Sequence, residues 1–190
     1  MEDNKIFEEL ENVLSKVFNS NLKTKKNIKI TEAITFEEAF FGSEKKIKIK
    51  EKCNSKSENY IRIKIPEGIK DNQTIIVKLK KQELHINIKV LKHSIYRRIG
   101  DNIIVDIPIT FTKAILGTNL EIPMLDGSKI NYRIPKGVQN GTRFVIKGKG
   151  FKNLKNNKRG DFIFKLNILI PKKLTKEQEE IIKEYEKTIN

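Results

Sequence analysis

The residues that could carry chemistry are two histidines, one cysteine and a short glycine-lysine loop. His85 and His93 are the only histidines among 190 residues, and neither has a Ser, Cys or carboxylate motif around it of the kind that pairs a nucleophile with its base. The expected role of each is structural or solvated. With the single Cys53 they are too few for a tetrahedral zinc site without carboxylate help, so neither a metal nor another cofactor is expected. Gly148-Lys149-Gly150 faintly suggests a phosphate cradle, but the G-x-x-x-x-G-K-[ST] spacing is missing and a glycine-rich bend is the simpler reading. No catalytic residue emerges. What remains is recognition chemistry, in isoleucines that alternate with polar residues: Ile28 and Ile30, then Ile47 and Ile49 among Lys45, Lys46, Lys48 and Lys50.

The elements that must position these residues occur twice. Ile34-Thr35-Phe36-Glu37-Glu38-Ala39-Phe40-Phe41-Gly42 returns 75 positions later as Ile109-Thr110-Phe111-Thr112-Lys113-Ala114-Ile115-Leu116-Gly117. Ile65-Pro66-Glu67-Gly68-Ile69 returns 69 positions later as Ile134-Pro135-Lys136-Gly137-Val138. Two markers repeated in the same order mean two copies of one unit, an organisation better suited to holding an extended partner than to enclosing one catalytic centre. Phe36, Ala39 and Phe40 fall at i, i+3 and i+4, which predicts one or two helical turns closed by Gly42. Period-two runs predict strands around Ile28 to Ile34, Ile47 to Ile49, Ile61 to Ile65, Ile76 to Leu79 and Leu84 to Val90. The second copy repeats this pattern, with Asp126-Gly127 marking a hairpin between Leu120 to Leu125 and Lys129 to Ile134. One difference stands out. A long polar loop after Val145-Ile146 ends at Arg159-Gly160-Asp161, where the first copy has only the turn Lys80 to Glu83.

At the N-terminus, residues 5 to 18 read as an amphipathic helix, followed by a polar linker up to residue 27. At the C-terminus, Thr175 and Gln178 form a capping box for a helix whose stripe of Ile181, Ile182 and Tyr185 is too short to fold unsupported. Lys and Arg outnumber Asp and Glu by 39 to 24, a net +15 that implies attraction to an acidic partner such as nucleic acid, an acidic peptide or an anionic surface. One cysteine, with no apolar leader or membrane-length run, points to a reducing, cytoplasmic setting.

The doubled Phe-x-x-Ala-x-x-Gly and Ile-Pro-x-Gly markers, with Gly148-Lys149-Gly150-Phe151 and Arg159-Gly160-Asp161-Phe162, resemble the tandem C-terminal β-domains of DnaJ-type co-chaperones, from about Ile28 to Tyr185. Pro171 to Gln178 resembles that family's dimerisation segment. The resemblance implies a mainly β fold of two tandem, homologous β-sandwich-like domains, each with a short helix. The expected boundaries are a helix and linker over 1–27, a first domain over 28–91, a second over 92–171 and a dimerisation helix over 172–190. Neither histidine is followed by Pro-Asp and no Cys-x-x-Cys repeat is present, so this chain lacks a J domain and falls with the zinc-free members, which include the curved-DNA-binding type.

By the same resemblance, a groove lined by Ile28, Ile30, Ile47 and Ile49, with Tyr96 at its edge, holds unfolded polypeptide clients without catalysis. Lys45, Lys46 and Lys48 meet the acidic tail of a DnaK-type partner. Leu174, Ile181, Ile182 and Tyr185 join two chains into a homodimer. The alternative is a curved-DNA or nucleoid-binding protein of low sequence specificity, driven by the +15 charge.

Overall fold

The computed structural model describes residues 26–49, 59–79 and 82–189. The helix expected over residues 5 to 18 and most of its linker lie outside them, as do Cys53 and residues 80 and 81 of the shortened turn.

In the first copy, strand β1 (Lys26–Ile34) pairs in parallel with β5 (Gln82–Val90), and β4 (Gln73–Lys78) lies antiparallel on the far side of β5. Strands β2 (Ser43–Ile49) and β3 (Asn59–Ile65) form a separate hairpin. In the second copy, β7 (Asn102–Thr110) pairs in parallel with β11 (Phe162–Leu169), with β10 (Arg143–Ile146) beyond β11 and a short β6 (Arg97–Ile99) on the other side of β7. Strands β8 (Thr118–Pro123) and β9 (Lys129–Ile134) make the matching hairpin, closed where the Met124 amide donates to the Ser128 carbonyl at 2.9 Å. Two short helices, α1 (Phe36–Phe41) and α2 (Phe111–Leu116), follow the opening strand of each copy, and α3 (Lys176–Lys187) ends the chain. The fold is therefore mainly β, as the repeat and its resemblance imply. Strand β6 and the parallel pairings have no counterpart in the periodicity, because an alternation shows that a strand exists and not which strand it meets.

Residues from both sheets and both hairpins share one apolar core. Ile34, Leu84, Ile86 and Ile88 close on Ile63 and Ile65 in the first copy, while Ile103, Phe162, Phe164 and Leu166 sit with Ile122 and Ile134 in the core of the second. The doubled markers explain how hairpin and sheet are held in place. Thr35 and Thr110 cap their helices, accepting from the amides of Glu38 and Lys113; in the first copy the Glu38 carboxylate returns the bond to Thr35 N–H at 2.8 Å. Gly42 and Gly117 share φ +76°, and a Cβ on either would stand 2.9 Å from the carbonyl oxygen of Ile65 or Ile134. The Ile-Pro loop then donates from Gly68 to Ala39 O at 2.8 Å and from Gly137 to Ala114 O at 2.9 Å. Each helix is thus bolted to the loop that follows its hairpin.

The copies meet through the long loop of the second. Phe151, fully buried, stands edge-on to Phe36 and Phe40 of α1 with centroids 5.1 and 5.3 Å away. Arg98 lies 3.9 Å over the Phe151 ring and donates to Ile69 O at 2.6 Å and Gly68 O at 2.9 Å; burial lowers its pKa, against the opposing charge of Asp101. Glu67 pairs with Arg159 and, at 3.6 Å, with Lys152. The Gly148-Lys149-Gly150 segment is part of this latch, since the Gly148 amide is taken by the chain's own Asp161 carboxylate at 2.9 Å.

Gly68 has φ +87° with the Lys152 carbonyl where a side chain would go, whereas Gly137 has φ +74° and open space around it. Gly137→Ala should cost about 1–2 kcal/mol, the price of a left-handed alanine, and Gly68→Ala distinctly more. Urea unfolding of both variants checks this; equal losses would mean that the junction backbone yields.

An open strand edge beside a basic hairpin face

Among the described strands β1 pairs with β5 alone. The carbonyl of Ile34 accepts from Leu91 N–H at 2.8 Å, on the β5 side, whereas that of Ala33 points outward and accepts from Lys45 Nζ at 2.9 Å. Alternation therefore places the backbone groups of Lys29 and Thr31 on the outer edge as well. The equivalent edge in the second copy is covered over its first three residues: β6 pairs with β7 from Ile99↔Asn102 to Arg97↔Ile104, and beyond it the Arg97 side chain reaches Asp106 at 2.5 Å.

Beneath the β1 edge the apolar seam is incompletely closed. Ile28 and Ile30 are half-buried against Leu84 and Ile86, with Ile61 of β3 and Val77 of β4 partly buried nearby in the same cluster. Their equivalents at a spacing of 75, Ile103 and Val105, are 0% and 2% exposed. Ile47 is 7% exposed and belongs to the core beneath the seam. Ile49 pairs with Asn59 at the end of the hairpin, and its side chain lies outside the described residues.

The structure separates the three lysines by strand parity. Lys45 lies on the inward side of β2 with Ile47, where it bridges Glu38 at 3.0 Å and Glu32 at 3.6 Å besides its bond to Ala33. It ties β2 to β1 and α1. Lys46 and Lys48 point the other way, exposed, and stand opposite Arg62 and Tyr60 in the hairpin register. Arg62 has no mark in the sequence beyond the alternation of Tyr60-Ile61-Arg62-Ile63-Lys64, because which lysine it faces depends on the register of the hairpin. Two like charges directly across a hairpin oppose folding, so Lys46 and Arg62 form a site that an anion would relieve.

Tyr96 sits at the junction of the copies. It is 7% exposed, donates from its hydroxyl to Pro123 O at 3.0 Å, and stacks on His93 and Phe36 at 4.9 and 6.4 Å. Burial raises the pKa of its phenol, and the Asp126 charge adds to this. His93 is structural, as expected: its Nδ1 accepts the amides of Ile95 and Tyr96, and its Nε2 meets Glu37 at 3.1 Å. A cavity of about 1050 Å³ opens beside them, lined by Leu91, Ile95 and Tyr96 among others. Strand addition needs an open edge rather than an enclosed volume, and that edge is on β1. At the C-terminus Thr175 and Gln178 close the expected capping box, and Leu174, Ile181, Ile182 and Tyr185 are 40%, 60%, 36% and 53% exposed.

Among the described residues there is no cluster of three metal-ligating side chains, and no helix is long and apolar enough to cross a membrane. Paired β-units, each with a capped short helix, joined by a latch loop and ended by an amphipathic helix, define a recognition module of tandem β-domains. The chain belongs to the DnaJ C terminal domain family, which matches residues 28–171 and is non-catalytic. The chaperone protein DnaJ of Ruminiclostridium cellulolyticum is 42% identical over 139 residues, covering 68% of this chain and 36% of that protein. That of Caldicellulosiruptor bescii is 41% identical over 136 residues, 67% and 35% of the two chains, and that of Clostridioides difficile 38% over 145 residues, 70% and 37%. The chain thus spans roughly a third of the length of these curated relatives.

Lys45→Met leaves Glu32 and Glu38 without their shared cation and should cost about 1 kcal/mol of stability, as expected for a partly exposed pair. Lys46→Met should be neutral or slightly stabilising, because it removes the repulsion with Arg62. Denaturant midpoints for the two variants decide the matter, and a reversed order would contradict the division of roles.

Proposed function

We propose that this chain is the client-holding region of a zinc-free DnaJ-type co-chaperone, acting without catalysis as an acceptor of extended, unfolded polypeptide. The observation that carries it is the asymmetry between the copies: among the described strands β1 has a free outer edge over half-buried Ile28 and Ile30, whereas β7 is paired by β6 at its start and buries the equivalent Ile103 and Val105. An extended segment adds to the β1 edge through main-chain hydrogen bonds at Lys29 and Thr31, and its alternate apolar side chains enter the seam. Such binding tolerates many sequences, because the backbone supplies much of the affinity. The exposed face of Lys46, Lys48 and Arg62 is suited to the acidic tail of a DnaK-type chaperone, with Lys45 holding the hairpin that presents it and Ile47 forming the seam's floor. Tyr96 acts through the junction and not at the groove edge.

Dimerisation fits the pseudo-repeat. In the first copy α1 is buried by Phe151, and Glu67 receives Arg159 and Lys152. In the second, Ile115 and Leu116 of α2 are 45% and 67% exposed, and Lys136 and Lys113 replace Glu67 and Glu38. The face therefore calls for a partner that is apolar and acidic. Helix α3 carries five glutamates against three lysines beside its exposed stripe, so α3 of one chain docks near α2 of another and sets two grooves about a two-fold axis.

Fluorescence anisotropy with a labelled extended apolar peptide tests the groove. Ile30→Asp should weaken binding more than tenfold with the fold retained by circular dichroism, and Lys46→Glu with Arg62→Glu should abolish binding of an acidic peptide while sparing the apolar one. Unchanged apolar binding in Ile30→Asp would overturn the groove. Binding of a labelled DNA duplex that falls steeply with salt, with no peptide signal, would instead establish the curved-DNA reading.

For the dimer, sedimentation equilibrium should give two chains for the native protein and one for Ile181→Asp with Ile182→Asp. A native monomer would remove the clamp.

A further inference from the structure

Residues 1–18 carry a charge opposite to that of the chain that follows. Glu2, Asp3, Glu8, Glu9 and Glu11 stand against Lys5 and Lys16, a net −3; taken from the whole chain's +15, this leaves +18 on residues 19–190. The same stretch sets Phe7, Leu10, Leu14, Val17 and Phe18 at helical spacing. Residues 19–25 join it to Lys26, the first residue of β1, over a reach of at most about 24 Å. Ile28, at the mouth of the half-open seam, lies two residues further on. A helix over 5–18 would be about 21 Å long, and the seam from Ile28 to Ile34 measures about 20 Å at strand spacing. Lys29 is exposed on the β1 edge beside that seam, and Lys46, Lys48, Arg62 and Lys64 are exposed on the outer face of the adjoining hairpin.

Length, tether, polarity and charge coincide, and we infer that residues 5–18 are a built-in occupant of the first-copy seam: the apolar stripe covers Ile28 and Ile30, the glutamates face the basic rim, and a client must displace it. The effect on clients rests on the groove reading above; the docking itself does not. A short flexible tether gives an effective concentration of about 1 mM, so a segment whose free-peptide Kd is about 0.1 mM would be docked about nine-tenths of the time and weaken client binding about tenfold.

The test compares three chains: the native one, one lacking residues 1–22, and a full-length Glu8→Lys, Glu9→Lys, Glu11→Lys variant. Each is titrated with the labelled apolar peptide, and the truncated chain also with a labelled peptide of residues 1–18. The inference expects both altered chains to bind client about tenfold more tightly, and the 1–18 peptide to bind the truncated chain in competition with client and to be lost on Ile30→Asp. Equal client affinity in all three chains, or 1–18 binding that client does not compete, overturns it while the groove stands. Ile30-dependent docking of the 1–18 peptide with no client binding by any chain would sink the client reading and leave the docking in place.

Discussion

The structure depends on one close approach, made twice. The carbonyl of Ile65 passes so near Gly42, and that of Ile134 so near Gly117, that only a residue without a side chain can stand there, and the Gly68 and Gly137 amides then bond to the carbonyls of Ala39 and Ala114. A six-residue helix has no independent stability. It persists because a threonine caps its start and this contact holds its end, and by persisting it fixes where the hairpin leaves the opening strand. The seam between β1 and β2 is a consequence of that geometry.

Two copies of one scaffold have then been put to different uses by the lengths of their loops. The first copy leaves only three residues of sequence between β4 and β5 and receives Phe151 and Arg98 from its neighbour. The second extends the corresponding connection into the latch, and its opening strand gains β6. Pairing the start of β7 shortens an edge that could aggregate, a common remedy for exposed strands. Among the described strands the first copy keeps its outer edge open, with lysines around it and the Ala33 carbonyl held by Lys45. An edge retained at such risk argues for use.

The electrostatics are organised by parity more than by composition. Adjacent lysines on β2 differ in role because successive side chains face opposite ways: Lys45 turns inward to two glutamates and Lys46 outward to meet Arg62. The inward contact is worth about 1 kcal/mol and holds strands together; the outward pair, like charges directly across the hairpin, opposes folding weakly. Arg98 repeats the lesson at the junction, where its cost of burial is offset by two backbone carbonyls and an aromatic face.

Local chemistry made much of this legible in the sequence. Period-two isoleucines, an Asp-Gly turn, a Thr-x-x-Gln cap and two doubled markers determine the strands, the hairpin, the last helix and the tandem repeat, because each is decided by residues within one turn or one strand of each other. Even the Thr35 capping box with Glu38 was there to be read. Long-range pairing was not. That β1 lies parallel to β5 and has no second partner among the described strands, that β6 pairs with the start of β7, that Arg62 faces Lys46, and that Tyr96 belongs to the junction all follow from which strands and loops meet in three dimensions. Alternation gives a strand its two faces but not its neighbour, so the sequence supplied the strands of the seam, and tertiary packing decided which edge stays unpaired among the described strands.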